Sequence, residues 1–161
     1  MKNKEDLLEY LHDLQIKAKT YVHEAVYTVQ QAEKVCSEIS GGHAKNLFLK
    51  DKNGKYWLIV AKNDTKIDLK KLAKKLGVGR FSFAKAQDLL NYLGVTPGGV
   101  TPFGLINDIE HTVNVIVEKS LLDFELLNFH PLTNDATTVI LSDDFKKFLD
   151  FSGNRVDFVA F

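Results

Sequence analysis

The sequence predicts an α/β fold in a single domain, with a mixed β-sheet flanked by helices. Short runs of β-branched and aromatic residues alternate with amphipathic helical segments, but without the strict strand–helix–strand period of an all-parallel sheet. The chain has 161 residues, of which 45% are hydrophobic and 26% charged. A chain of this size and composition buries a core without needing disulfides or metal.

Five helices are predicted from apolar spacing and from capping residues. The first carries Leu7, Leu8, Leu11, Leu14 and Ala18 at helical spacing behind Asn3, a typical N-cap residue. In the second, Thr28 and Gln31 form a capping box for a helix over 29–37. The other three are expected from Asp68 to Gly77, from Ala84 to Gly94, and from a cap at Ser142, Asp143 and Asp144 to Gly153.

Six strands are predicted from apolar, aromatic or β-branched runs. The runs 46–49 and 55–61 are separated by Asp51-Lys52-Asn53-Gly54, a sequence typical of a hairpin turn. The remaining strands are expected at 81–83, 112–117, 137–141 and 156–160. Residues 1–20 are predicted to form a helical appendage to a main domain at 21–161.

Composition narrows the classes of protein and of site that need to be considered. The single Cys36 cannot form an internal disulfide, and the chain has neither a leader-like N-terminus nor an apolar run of membrane-spanning length. We therefore expect a cytoplasmic protein with no membrane partner. His12, His23, His43 and His111 show no ligand spacing with Cys36 or with carboxylates, so no metal and no other cofactor is predicted.

The formal net charge is zero, which argues against a protein that coats nucleic acid by bulk electrostatics. The charge is nevertheless unevenly distributed along the chain, because the stretch from Lys62 to Lys85 contains eight Lys or Arg residues and only two carboxylates. Four of these cations, on the third predicted helix, are candidate contacts to nucleic-acid phosphates: Lys70, Lys71, Lys74 and Lys75. The alternative is that they are the solvated face of an ordinary helix.

Three distant stretches combine polar chemistry with tight-turn residues. They read GGHAKNLFLKD from Gly41, GVTPGGVTPFG from Gly94 and FHPLTN from Phe129. The middle stretch holds four of the ten glycines and two of the three prolines, which favours a stiff turn with exposed backbone amides. We predict that the three stretches form one site.

Taken in order, these stretches resemble the YbaK/ProX family of free-standing aminoacyl-tRNA deacylases, which are related to the editing domain inserted in bacterial prolyl-tRNA synthetases. The similarity runs from about Tyr21 to the C-terminus. YVHEAVYTVQQAE near the start and NFHPLTN near the end resemble most the ProX-type branch, which hydrolyses mischarged Ala-tRNA(Pro). The resemblance implies a mixed α/β fold and a hydrolase that needs no cofactor.

Lys45 is, by this resemblance, the functional lysine that contacts the terminal nucleotide or the ester and supplies positive charge where negative charge develops. Asn46 beside it is predicted to orient a water or to hold the substrate. Without the resemblance, Lys45 would be interpreted as a solvated strand-end lysine. Asn46 remains equally open to a strand-starting hydrogen bond with the backbone.

The glycine-rich stretch resembles the substrate loop of the family. Because Pro102 has no N–H, the candidate donors to the substrate carbonyl are the amides of Gly99, Val100, Thr101, Phe103 and Gly104. We therefore predict a catalytic set of Lys45, Asn46, Gly99, Val100 and Thr101. The alternative for this loop is a β-turn without a ligand.

His130 precedes Pro131 and is biased to extended backbone. In the family this position lines the pocket for the aminoacyl side chain, where a bulky wall admits a methyl group and excludes a pyrrolidine ring. A buried histidine bonded to backbone is the alternative. The full set of predicted substrate-binding residues is Thr28, Gly98, Pro102, Phe103, Gly104, Phe129, His130 and Pro131.

The sequence therefore predicts a hydrolase that removes alanine from mischarged tRNA(Pro) by attack of water on the aminoacyl ester. No Gly-x-Ser-x-Gly elbow is present, so covalent catalysis is not expected. The alternatives are a deacylase for Cys-tRNA(Pro) or another small aminoacyl-tRNA, and a non-catalytic module that binds tRNA or a synthetase. The expected partners are the 3′ end and acceptor stem of an aminoacyl-tRNA and, less directly, prolyl-tRNA synthetase.

Overall fold

A computed structural model describes the backbone of residues 1–161 and every side chain except those of Val29 and Cys36. The five helices are α1 (Lys4–Asp13), α2 (Val29–Glu38), α3 (Leu69–Leu76), α4 (Ala86–Leu93) and α5 (Ser142–Ser152). The eight strands are β1 (Ala18–Val22), β2 (Gly42–Asp51), β3 (Tyr56–Lys62), β4 (Phe81–Phe83), β5 (Asn114–Glu118), β6 (Leu126–Phe129), β7 (Ala136–Leu141) and β8 (Val156–Val159). Across the described residues, none of the helices is both long and apolar enough to span a membrane.

The strands form one mixed sheet in the order β1-β7-β6-β2-β3-β5-β8, with β4 paired to β2. Parallel pairing joins β2 to β6, β3 to β5 and β5 to β8, whereas the other pairs are antiparallel. The predicted α/β class, with a mixed sheet and flanking helices, is therefore confirmed.

Side chains of alternate residues in the central strands point to two cores, one on each face of the sheet. In β3, Leu58 and Val60 belong to the larger core, and Trp57 and Ile59 belong to the smaller one. Helices α1, α4 and α5 contribute buried side chains to the larger core, and α3 covers the smaller core with Leu72 and Ala73.

The caps that the sequence predicts are present at three helices. Asn3 forms a reciprocal capping box with Asp6, and Asp68 accepts from two amides at the start of α3, which ends at the left-handed Gly77. At α2, the Gln31 amide donates to the Thr28 hydroxyl at 3.1 Å, and the Gln31 side chain accepts from the Thr28 amide at 3.2 Å.

Other local predictions were wrong. Ala18 does not continue the first helix, because α1 ends at Asp13, Gln15 adopts a positive φ, and Ala18 starts a strand paired with β7. Ser142 is not an N-cap, since Leu141 holds that position and the Ser142 hydroxyl donates to the Leu122 carbonyl. The sequence analysis also missed β1 and β6.

The division of the chain at residue 20 stays a prediction. Leu7 and Leu11 of α1 are fully buried in the same core as the central strands. Strand β1 spans residue 20. Residues 1–20 thus pack as part of the main body of the protein.

The turn between β2 and β3 is organised by the buried carboxylate of Asp51. This carboxylate accepts from the Trp57 indole at 2.9 Å and from the amides of Asn53 and Lys55 at 2.8 and 3.0 Å. Burial alone would raise the pKa of Asp51, but these hydrogen bonds to the charged form outweigh it and lower the pKa.

This lowered pKa predicts how the hairpin responds to acid. A depressed carboxyl pKa contributes stability above the unfolded pKa of about 3.9, and that contribution is lost as the pH falls through the folded value. We expect the free energy of unfolding of the wild-type protein to decrease below about pH 4, and Asp51→Asn to decrease less over the same range. Urea denaturation between pH 2.5 and 7 measures both, and equal pH profiles for the two proteins would contradict this role of Asp51.

Candidate active site

The candidate site lies where β2 separates from β6. The two strands pair only at Gly42–Leu127 and His43–Asn128, after which β2 pairs with β3 from Ala44 onward. A side chain at Gly42 would place its Cβ 2.6 Å from the Phe124 ring, so a glycine is required for this approach. Gly41, with φ of 109°, makes the turn into the strand.

The separation of the two strands leaves a cavity of about 60 Å³ between them. Seven residues line it: His43, Ala44, Asn46, Asn128, Phe129, His130 and Thr137. The structure therefore brings together residues from the first and third predicted stretches.

The cavity is rich in hydrogen-bond acceptors. The Oδ1 atoms of Asn46 and Asn128 are buried and have no partner among the described residues. The Asn128 amide nitrogen donates to His43 Nδ1 at 3.1 Å. A buried acceptor left without a donor costs about 1–3 kcal/mol, so this arrangement favours a ligand that carries N–H or O–H groups.

The surroundings of His130 favour its neutral ring. Its Nδ1 lies 3.1 Å from the Ala136 carbonyl oxygen, which can only accept, so Nδ1 carries the proton and Nε2 is the acceptor of the neutral ring. Burial lowers the pKa of His130, and nearby His23 lowers it further, against the opposing effect of the Ala136 bond. A neutral imidazole that accepts through Nε2 can orient an attacking water.

His23 positions the hydroxyl of Thr137 at the cavity wall. Its Nδ1 donates to the Glu24 carbonyl at 2.7 Å, and its Nε2 is 2.9 Å from Thr137 Oγ1. In the neutral tautomer Nε2 accepts from the hydroxyl, so the Thr137 oxygen keeps its lone pairs for another donor.

Lys45 and Asn46 lie on opposite faces of the sheet, since neighbouring strand residues alternate. The Lys45 backbone pairs with Ala61, and its half-buried side chain shares a face with His43. Lys45 is not among the residues that line the cavity, although its chain neighbours Ala44 and Asn46 are.

The glycine-rich stretch uses much of its predicted donor set internally. The Gly99 amide donates to the Thr96 carbonyl, the Phe103 amide to the Thr101 hydroxyl and the Gly104 amide to the Thr101 carbonyl. Among the hydrogen bonds of the described residues, the Val100 and Thr101 amides have no acceptor. The expected row of five donors is therefore reduced to two.

Several residues of this stretch serve packing. Phe103 is fully buried, with its ring edge-to-face against Phe129 at 5.6 Å and Phe148 at 5.2 Å between centroids. Gly104 packs against α4, where an added Cβ would lie 2.7 Å from the Leu93 Cβ. These positions differ from the expected contact with substrate, because the core already occupies their surroundings.

The glycine-rich stretch from Gly94 contacts the stretch that begins at Phe129, and not the one that begins at Gly41. Gly98 and Gly99 lie against Asn134 and Thr133, whose backbone follows the buried Pro131. The Asn134 side chain donates to the Val26 carbonyl at 3.2 Å and so ties this turn to the segment before α2. The 129–134 segment therefore lies between the cavity and the glycine-rich stretch.

The remaining predicted site residues lie outside the cavity lining. Thr28 is exposed and caps α2. Lys70, Lys71, Lys74 and Lys75 are all exposed on α3, and Lys75 donates to the Ala160 carbonyl. The Cys36 thiol lies outside the described side chains. Among the side chains that are described, no group of three His, Cys, Asp or Glu residues is arranged to hold a metal.

The sequence analysis missed Asn128 and Thr137 as site residues and gave His23 and His43 no role in the site. Recognition of β6 would have revealed Asn128, because it lies two residues before His130 and so shares its strand face. The pairing of Thr137 with Tyr21 and of Asn128 with His43 depends on contacts between distant segments.

Comparison with known proteins identifies the family. The family model described as the aminoacyl-tRNA editing domain matches residues 23–148. The chain belongs to the aminoacyl-tRNA editing domain family. The prolyl-tRNA editing protein ProX of Acetoanaerobium sticklandii is 38% identical over 155 residues, covering 96% of this chain and 94% of that protein. The prolyl-tRNA synthetase associated domain-containing protein 1 of Xenopus laevis is 36% identical, covering 94% and 92%.

Two solved structures share the fold of this chain. A protein described as a candidate trans-editing enzyme for prolyl tRNA synthetase superposes with a TM-score of 0.71 at 18% identity, covering 100% of this chain and 99% of that one. The hypothetical protein APE2540 gives a TM-score of 0.73 at 16% identity, with coverage of 95% and 97%. At identities of 16% and 18%, the similarity shows that these proteins share the fold of this chain.

The lowered pKa of His130 predicts how the stability of the protein depends on pH. Because the folded protein favours the neutral ring, the unfolded chain binds more protons between the folded pKa and about 6.5. The contribution of His130 to stability is thus complete above about pH 6.5 and is lost as the pH falls toward the folded value. We expect an NMR titration midpoint below 6.5 for His130, and a weaker loss of stability between pH 7 and 5 for His130→Gln. A midpoint at or above 6.5 would contradict the proposed neutral acceptor.

Proposed function

We propose that this editing-domain protein is a trans-editing hydrolase that removes alanine from mischarged tRNA(Pro). The observation that carries the proposal is the acceptor-rich cavity of about 60 Å³ beside the neutral His130. An α-ammonium group has three N–H donors, which suits the unpartnered Asn46 and Asn128 oxygens and the Thr137 hydroxyl.

The size of the cavity supports alanine as the acyl group. A water molecule needs about 10–15 Å³ of such cavity volume, so the cavity accommodates a few groups of that size. Beyond its Cα and ester carbon, an alanyl group carries an ammonium and a methyl. A cysteinyl group adds one sulfur atom, and a prolyl group adds two more ring carbons than the alanyl methyl, so prolyl is the least suited.

Hydrolysis of the ester requires a positioned water and stabilisation of the oxyanion. In this proposal His130 Nε2 orients the water at the cavity wall. Lys45, between the cavity residues Ala44 and Asn46 in the chain, supplies positive charge to the terminal nucleotide or the ester. Attack by water breaks the ester bond and releases alanine and the ribose hydroxyl, and that ribose can itself assist the water through its neighbouring hydroxyl.

The names of the relatives support tRNA as the carrier of the acyl group in this proposal. The Acetoanaerobium protein is named for prolyl-tRNA editing, and this chain covers nearly its full length. We propose a cytoplasmic site of action on aminoacyl-tRNA, with the exposed lysines of α3 as contacts to acceptor-stem phosphates and with prolyl-tRNA synthetase as a partner.

A second candidate is deacylation of Cys-tRNA(Pro), because one additional atom is a small excess for a cavity that is open to the surface. A non-catalytic binding module is less well supported, since binding alone requires no water-orienting imidazole beside the acyl cavity.

A panel of charged tRNAs tests the acyl specificity. We expect Ala-tRNA(Pro) to be deacylated about tenfold or more faster than Cys-tRNA(Pro), in line with the discrimination that one extra group supports. Pro-tRNA(Pro) should remain intact, because the wall formed by His130 and Phe129 excludes the larger ring. Release of labelled amino acid measures all three rates, and faster hydrolysis of the prolyl ester would contradict the proposal.

Substitution of Lys45 tests the electrostatic contribution. We expect Lys45→Ala to lower the rate of deacylation by about 10²–10³ while the melting temperature stays near that of the wild type. The half-buried side chain is proposed to act on developing charge and not on packing. Lys50→Ala, a change in an exposed lysine of the same strand, is the matched control. Near-normal turnover by a fully folded Lys45→Ala protein would remove this residue from the mechanism.

A further inference from the structure

One face of the sheet carries a groove beside the candidate cavity. This sheet-face groove has a volume of about 420 Å³ and is lined by Lys17, Ala18, Lys19, Tyr21, Ser40, Leu126, Val139 and Leu141. The sequence analysis assigned it no role, and none of its residues belongs to the proposed catalytic set.

Strand register makes the groove continuous with the cavity. Lys19 pairs with Val139 and Tyr21 with Thr137, so these four side chains share one face of the sheet. On β6, Leu126 in the groove and Asn128 in the cavity are likewise on one face. From Val139 to Thr137 is two residues, or about 7 Å along the strand.

Aromatic and cationic groups meet in this groove. The Lys19 ammonium lies 4.9 Å from the centroid of the Tyr21 ring, and Tyr21 is 38% exposed. Leu141 is 39% exposed, whereas Val139 is buried. Single-stranded nucleic acids are bound by this combination, with bases stacked on rings and phosphates held by cations.

The charges around the cavity favour this groove over its neighbours. The cavity admits only the aminoacyl end of a substrate, so the attached nucleotides must lie on an adjoining surface. The pocket lined by His23, Lys34 and Gln31 also carries Glu24 and Glu38, which repel phosphates. The residues that line the sheet-face groove include two lysines and no carboxylate.

We propose that the sheet-face groove binds the unpaired 3′ nucleotides of tRNA that precede the terminal adenosine. This inference rests on the proposed function, because it treats the neighbouring cavity as the site of the aminoacyl group. Tyr21 is a stacking residue for one base, and Lys17 and Lys19 contact the phosphates on either side of it.

Binding of uncharged RNA tests the groove without any hydrolysis. The probes are a fluorescent RNA hairpin with a single-stranded 3′ ACCA end and the same hairpin with a blunt end. We expect the wild-type protein to bind the first more tightly, and Tyr21→Ala to weaken that binding about tenfold, within the range measured for loss of one base stack. Tyr21→Phe keeps the ring and should bind like the wild type, and Phe151→Ala, an exposed aromatic on α5, should have no effect.

The lysine variants separate charge from stacking. Lys19→Ala should reduce the salt dependence of binding by about one phosphate contact, whereas Lys52→Ala in the β2–β3 turn should leave it unchanged. Equal affinity of the wild-type protein for the two hairpins, or unchanged binding by Tyr21→Ala, would overturn the proposal. If Tyr21→Ala lost binding to purified prolyl-tRNA synthetase but kept its RNA binding, the groove would be assigned to a protein partner. That result would also overturn the proposal.

An activity measurement distinguishes failure of this inference from failure of the proposed function. Tyr21→Ala should lower kcat/KM for an alanyl hairpin with the ACCA end about tenfold and leave hydrolysis of alanyl-adenosine unchanged. If RNA binding depends on Tyr21 but neither ester is hydrolysed, the groove stands and the hydrolase proposal fails. If both esters are hydrolysed equally well by Tyr21→Ala and by the wild type, the hydrolase stands and the groove fails.

Discussion

The departure of β2 from β6 is the constraint on which the candidate site depends. A strand that is hydrogen-bonded on both edges throughout its length leaves no room between its neighbours. Here Gly42 permits a close approach to Phe124 and Gly41 one to Leu126. Beyond His43, the edge of β2 that pairs with β6 has no strand partner until β4 joins it at Leu49, while β3 pairs along the opposite edge. The cavity and its orphaned amide oxygens lie along this unpaired part of the strand.

Much of the fold follows from local sequence. Helix caps at Asn3, Thr28 and Asp68 and the Asp51 turn are encoded within a few residues of each other, so spacing alone identifies them. The strand β1 is different, because Ala18 continues a helical apolar pattern and only pairing with β7, more than a hundred residues away, makes it a strand. Likewise, Leu126–Phe129 is four residues long, too short for a period to be read from it.

Part of the candidate site could be predicted from the sequence. The rest depends on which face of the sheet each strand residue occupies. Asn46 and His130 were expected together, and both line the cavity. Asn128 and Thr137 enter it only through the register of β6 and β7, which a single sequence does not specify. The roles of the individual residues remain proposals, whereas membership of the editing-domain family and the fold are established by the comparisons.

The placement of Phe103 and Gly104 in the interior affects how mutational scans of this protein should be interpreted. A loop rich in glycine and proline beside a reaction centre invites the assumption that every inactive variant in it has lost a contact with substrate. At these two positions a replacement would instead disturb an aromatic cluster or push apart two helical segments. Loss of soluble protein, rather than a changed rate per folded molecule, is then the expected phenotype.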